Sequence, residues 1–159
     1  DKNGVCEIAN DNSVGQIIVS GDIESINSFK KLLDDTKIKN IPLPVSAPFH
    51  CSLMQKASKD MEEKINSIKF LNPEIPIVAN VTAKEEIDSD TIKNLLVKQI
   101  FSKVRWRESM EFMSNSGINT FIEVGPGKVL TGLAKRIVKD KKIISINEIN
   151  NLELLKNEF

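Results

Sequence analysis

Cysteine is scarce in this 159-residue chain: Cys6 and Cys51 stand alone, without CxxC or Cys/His ligand spacing. Neither a disulfide framework nor a zinc site is therefore indicated, and no metal is expected. Free thiols fit a reducing compartment, the cytoplasm or an organelle of bacterial origin. Net charge is missing too, with 22 Lys and Arg against 22 Asp and Glu. No global field then favours nucleic acid or an anionic membrane, and any charged partner must meet a local patch. No apolar run approaches the roughly 18 residues that a membrane helix needs. Asp1-Lys2-Asn3-Gly4 lacks the basic and then apolar pattern of a signal peptide. The first residue is not methionine, and we read the chain as starting inside a longer protein.

What is present is ordinary for a folded domain: 40% apolar and 28% charged residues, which sets disorder aside. There is one histidine, His50, where a Pro-rich extended segment meets the start of a helix. Imidazole is the usual general base of nucleophilic enzymes because its pKa lies near neutrality. No G-x-S-x-G elbow accompanies it. A well-placed base without its nucleophile points to part of an enzyme.

Hydrophobic spacing places strands at 5–9 and 16–20, separated by the turn chemistry of Asn10 to Gly15. Ile23, Ile26, Phe29 and Leu33 predict a helix capped by Asp22. Pro42 and Pro44 forbid a helix at 38–45 and allow only an edge or terminal strand. The first third thus reads β-β-α-β, a ferredoxin-like unit lacking its beginning. Beyond it, Leu53, Met54, Ala57, Met61, Ile65 and Ile68 form a helical stripe of about four turns. Ser52-x-x-Gln55 has the pattern of a capping box. A strand at 76–81, helices at 88–101 and 105–116, a strand at 120–124, a helix at 129–138, a strand at 142–146 and a short helix ending at Phe159 follow. Alternating strands and helices indicate α/β layering.

His50 lies just ahead of the Ser52-capped helix, whose positive dipole end disfavours a second positive charge. A neutral ring able to accept a proton is the expectation. Gly125-Pro126-Gly127-Lys128, between strand and helix, has the look of a phosphate cradle but not the spacing of a P-loop. A turn packing helix against sheet is the commoner outcome, and Asn12 to Gln16 reads likewise as a hairpin or bulge. Lys128, Lys135, Arg136, Lys139, Lys141 and Lys142 thicken the positive charge late in the chain. They form either a solvated helix face or a docking patch for an acidic partner.

Three segments together carry a resemblance: Val45-Ser46-Ala47-Pro48-Phe49-His50-Cys51-Ser52-Leu53-Met54, Val104-Arg105-Trp106, and Glu123-Val124-Gly125-Pro126-Gly127-Lys128-Val129-Leu130. Asn10-x-Asn12-x-x-Gly15-Gln16 and Leu96-Val97-Lys98-Gln99 add to it. In this order and spacing they resemble the C-terminal half of the malonyl-CoA:acyl carrier protein transacylases, an acyltransferase family. The resemblance implies the C-terminal part of an α/β-hydrolase-like core at 44–159 and an incomplete ferredoxin-like subdomain at 1–43. It implies malonyl transfer from coenzyme A to the phosphopantetheine thiol of acyl carrier protein in fatty-acid synthesis, through a malonyl-serine ester. No cofactor is implied, malonyl-CoA being a substrate, and the cytoplasm is the implied location.

By the same resemblance, His50 is the base and the Gln99 backbone carbonyl orients its ring, in place of the carboxylate of a Ser-His-Asp triad. Asn12 matches a residue lining the site near the nucleophile. The family's G-H-S-x-G elbow, oxyanion donors and malonyl-binding arginine belong to an N-terminal half that is missing here. The implied partners are acyl carrier protein, malonyl-CoA and that missing half, with no nucleic acid and no membrane. The chain alone is expected to be inactive. A polyketide-type acyltransferase and a non-catalytic carrier-protein-binding fragment are the alternatives.

Overall fold

Short carboxylates cap two helices of this protein, α1 (Ile23–Asp35) and α3 (Ser89–Gln99). In the computed structural model, which describes residues 4–152, Asp22 accepts a hydrogen bond from the Ser25 amide at 2.8 Å and another from the Val5 amide at 2.5 Å. Asp88 accepts from the Thr91 amide at 2.7 Å. Each satisfies a helix N–H that has no partner within the helix. Hydrogen bonds from the Ser25 and Val5 amides hold Asp22 below the ordinary carboxylate range, and bonds from Thr91 do the same for Asp88.

The chain runs β1 (Cys6–Ser13), β2 (Gln16–Gly21), α1 (Ile23–Asp35), a 3-10 turn (Ser52–Met54), α2 (Gln55–Ser67), β3 (Ile77–Ala79), β4 (Lys84–Glu86), α3 (Ser89–Gln99), α4 (Trp106–Asn115), β5 (Thr120–Val124), α5 (Val129–Ile137) and β6 (Lys142–Ile146). A second 3-10 turn spans Ile149–Asn151. The rest of the expected C-terminal helix lies outside the described residues. β1 pairs with β2 and β3 with β4, both antiparallel. β5 and β6 form a parallel ladder, Thr120 opposite Lys142 through Val124 opposite Ile146.

β1 extends further than its composition predicts. Residues 10–13, read as a turn, lie in the strand, and only Val14 and Gly15 remain between Ser13 and its partner Gln16. Gly15 takes φ +79°, a conformation that glycine adopts without a Cβ penalty. The ladder slips twice, between Ile8 and Asn10 and between Asp11 and Ser13, leaving Ala9 and Asn12 as bulged residues. A bulge turns backbone groups away from the ladder, and here a second segment collects them. Val104 N–H donates to the Ala9 carbonyl at 2.8 Å, and Asp11 N–H donates to the Val104 carbonyl at 2.9 Å.

Two other expectations are corrected, and one strand had no signal. Residues 38–45 form no strand: Pro42 and Pro44 have no N–H to give a ladder, and most of the segment is exposed. The first third is therefore β-β-α, followed by extended chain. The Ser52-x-x-Gln55 box does not form, because Ser52 gives both its amide and its hydroxyl to Glu7 of β1, at 2.9 and 2.5 Å. A carboxylate is a stronger acceptor than the neutral partner a capping box would offer. The short β4, Lys84-Glu85-Glu86, has no apolar alternation by which to read it.

The core lies between α4, α5 and one face of the β5–β6 ladder. Met110, Ala134 and Val138 are buried, with Trp106, Met113, Phe121, Ile137 and Ile143 packed around them. On the other face Ile122 and Val124 remain exposed, Val124 to 76%. Parallel strands are ordinarily covered on both faces, and here one face lies open among the described residues.

Arg105 fastens the β3–β4 turn to the start of α4. Its Nη1 donates to the carbonyls of Val81 and Thr82 at 3.2 and 2.9 Å, and its Nη2 pairs with Glu108. Lys103 adds a 3.3 Å contact to the same carboxylate. The hydrogen bond from Arg105 holds Glu108 down from the ordinary 4.5 to about 2. A carboxylate depressed in the folded state stabilises it above the ordinary value, and that contribution disappears as pH falls towards 2. Glu108→Gln is therefore expected to lose less stability than the parent between pH 5 and 2, measured by thermal denaturation at stepped pH.

Candidate active site

His50 closes the Pro-rich segment and opens the turn that leads into α2. Its backbone φ of +59° lies in the left-handed region, which costs an L-residue roughly 1–2 kcal/mol. Contacts on both sides hold it there. Cys51, fully buried, donates its thiol hydrogen to the Pro48 carbonyl at 3.1 Å. The His50 Nδ1 lies 3.0 Å from the Gln99 carbonyl oxygen, 49 positions away.

That carbonyl is available for a physical reason. Gln99 is the last residue of α3, and the final carbonyls of a helix have no partner within it. A carbonyl only accepts, so Nδ1 carries a hydrogen, and in the neutral ring Nε2 is left with its lone pair. The ring is half-buried, neither sealed in hydrocarbon nor fully solvated. The helix that was expected to follow Ser52 directly begins instead at Gln55, a turn farther from the ring.

The structure brings His50 and Gln99 into contact. It does not join Asn12 to them: Asn12 makes no hydrogen bond to either among the described residues. It sits half-buried at the second bulge of β1, a position that re-aims a side chain away from the regular pleat. Its strand is nonetheless fixed to the site, because Val104, bonded to Ala9 and Asp11, lies five positions beyond Gln99. A bidentate pair strengthens this joint. Arg107 Nε and Nη2 donate to the two carboxylate oxygens of buried Asp11 at 3.0 and 2.7 Å. These contacts cross the division expected after residue 43.

Sequence reasoning missed Glu7, which reaches Ser52 from β1. An acidic residue on an exposed strand face carries no signal of such a role.

The Gly125–Lys128 turn is no phosphate cradle. Glu123 folds its carboxylate over the start of α5 and accepts from the Leu130 and Thr131 amides at 3.0 and 2.8 Å. An incoming anion would have to displace a carboxylate that hydrogen bonds from Thr131 and Leu130 already hold below its ordinary pKa. Late in the chain, Lys135, Arg136 and Lys139 are exposed, and Arg136 reaches Gln16 at 2.9 Å. Among the described residues no cluster of three His, Cys, Asp or Glu side chains could hold a metal. Among them, too, no helix is long and apolar enough to cross a membrane.

No family model matches the chain. It is 39% identical over 150 residues to the malonyl CoA-acyl carrier protein transacylase of Staphylococcus aureus, covering 94% of this chain and 49% of that protein. An acyl-carrier-protein-S-malonyltransferase structure from Bartonella henselae superposes with a TM-score of 0.93 at 40% identity, covering 99% of this chain and 50% of that one. A malonyl-transacylase solved in complex with a type II polyketide acyl-carrier protein gives 0.93 at 33% identity, covering 99% and 52%. The chain spans about half the length of the curated relatives it matches. Its α/β fold is that of the C-terminal part of these acyltransferases. On sequence and fold together, the chain belongs with the malonyl CoA-acyl carrier protein transacylases, as their C-terminal half.

Proposed function

We propose that the chain supplies the general base of a malonyl-CoA:acyl carrier protein transacylase of fatty-acid synthesis, acting on a serine held by the other half of the protein. The observation that carries this reading is the 3.0 Å contact between His50 Nδ1 and the Gln99 carbonyl, which leaves Nε2 as proton acceptor. In the first half-reaction Nε2 takes the serine proton as the hydroxyl oxygen attacks the malonyl thioester. The carbon–sulfur bond then breaks, and the proton passes to the departing coenzyme A thiolate. In the second half-reaction the phosphopantetheine thiol gives its proton to Nε2 and attacks the malonyl ester. The serine oxygen leaves and regains that proton. No cofactor takes part. A carbonyl in place of a triad carboxylate orients the ring while adding no full charge, and the partial negative charge of a helix C-terminus suits an imidazolium that forms only in passing.

The exposed face of Ile122 and Val124 is where the other half would cover the ladder. Asn12 would line the site beside the nucleophile. The free thiols Cys6 and Cys51 suit a cytoplasmic enzyme. The reading is tested by joining the chain to a transacylase N-terminal half and following radiolabelled malonyl from coenzyme A to carrier protein. A folded joined protein that transfers none overturns it. A polyketide-type carrier is a second reading, favoured by the relative solved with one. Comparing the two carriers as acceptors for the joined protein separates them.

The acidic carrier protein would dock partly on the surface of Lys135, Arg136, Lys139 and Lys142. Surface ion pairs contribute about 0–1 kcal/mol each and are screened by salt. Lys135→Glu with Lys139→Glu is expected to raise the carrier-protein KM several-fold at low ionic strength and to leave malonyl-CoA kinetics unchanged. An unaltered carrier KM would remove this surface from the account.

A further inference from the structure

Residues 48–52 are pinned from three directions, and one of these comes from an unexpected place. The Gln99 carbonyl holds the His50 ring. The buried Cys51 side chain anchors the middle of the segment. The third hold is Glu7, whose carboxylate takes the amide of Ser52 at 2.9 Å and its hydroxyl at 2.5 Å. Among the described residues, Glu7 is the one side chain outside residues 44–54 that hydrogen-bonds this segment. It arrives from β1, the strand whose bulged backbone also grips Val104 beyond Gln99. One strand therefore reaches both sides of the His50–Gln99 contact: residue 7 towards the base, residues 9 and 11 towards the loop that follows its orienting carbonyl.

The backbone of His50 makes this hold consequential. At φ +59° an L-residue relaxes towards the right-handed or extended regions unless the chain on both sides is fixed. Pro48 stiffens the approach, its φ being set by its ring. After His50, fixation depends on Cys51 and on the two bonds from Glu7. We infer that Glu7 is a positioning residue for the base: its grip on Ser52 keeps His50 in the left-handed conformation that aims Nδ1 at the Gln99 carbonyl. This inference builds on the proposed catalytic role of His50, yet the geometry it concerns can be read without any turnover.

His50 is the chain's sole histidine, so its ring nitrogens give an unambiguous NMR signature. In the parent chain the ring is expected to show one fixed tautomer, a protonated Nδ1 and a clearly separated, unprotonated Nε2. In Glu7→Ala the two nitrogen signals should move together as the tautomers mix. Glu7→Gln, which keeps a single acceptor for two donors, should fall between the two and serves if the alanine variant does not fold. Ser52→Ala, which keeps the amide bond to Glu7, should stay close to the parent. Glu123→Ala removes a comparable carboxylate cap at α5 and should leave the His50 signals unchanged.

Full parental separation in a folded Glu7→Ala or Glu7→Gln variant overturns the inference. So does an equal change in Glu123→Ala, which would mean that any lost cap loosens the ring. In the joined enzyme, Glu7→Ala should lower kcat by about 10- to 100-fold, the scale of a base displaced by an ångström, with the malonyl-CoA KM unchanged. If the joined parent transfers nothing while the tautomers still mix in Glu7→Ala, the catalytic reading fails and the positioning role stands.

Discussion

Replacing His50 by alanine in the joined, two-half protein is expected to lower malonyl transfer by about 10,000-fold, the upper range for a general base. The loss should appear in the first half-reaction, as failure to accumulate the malonyl-enzyme, because an unactivated serine hydroxyl is a weak nucleophile. Substrate binding should be little changed, since the proposed base would meet the reacting atoms and not the body of coenzyme A. Gln99 supplies the control. Its contribution is a main-chain carbonyl, so Gln99→Ala retains the acceptor that fixes the ring and should change transfer only a few-fold. The contrast between the two variants is specific to a base oriented by backbone. A His50→Ala enzyme that still forms its malonyl-ester at the parental rate, with altered carrier binding alone, would mark the chain as a non-catalytic binding module.

The parts of this fold that were legible in the sequence are those whose signals are local. β5 and β6 stand where runs of apolar residues between turns predict strands. Asp22 caps α1 because a short carboxylate directly before an apolar-periodic segment has a nearby amide to take. The rest depended on partners distant in sequence. Residues 10–13 carry turn-forming side chains, yet Val104 captures the backbone of their strand and the ladder accommodates them through two bulges. Ser52 and Gln55 have the spacing of a capping box, but a carboxylate 45 positions away competes for the serine and takes it. Pro42 and Pro44 exclude a helix at 38–45, and the strand expected there does not form because they also withhold N–H groups that a ladder needs.

The site divides in the same way. His50 stood out because it is unique and follows a proline-rich approach. The orienting group had no signature of its own, since every residue carries a carbonyl; resemblance to the transacylases singled out Gln99, and the end of α3 explains why its oxygen is free. Glu7 was invisible because its role exists only once β1 and the His50 segment are side by side. Glu123 resolved an ambiguity that spacing could not, by occupying the amides a phosphate would need.

The second large effect concerns the chain by itself. A base with no hydroxyl to deprotonate contributes almost nothing, because the members of such a site act as a unit. The isolated chain, given malonyl-CoA and holo carrier protein, is therefore expected to transfer malonyl at the background rate, and joining it to the serine-bearing half is expected to restore transfer. Measuring both proteins side by side, with label counted on the carrier, tests most directly whether this chain is the base-bearing half of a divided site. Background alone from the chain and transfer from the joined protein is the predicted result; turnover by the chain alone at the rate of an intact transacylase would contradict it.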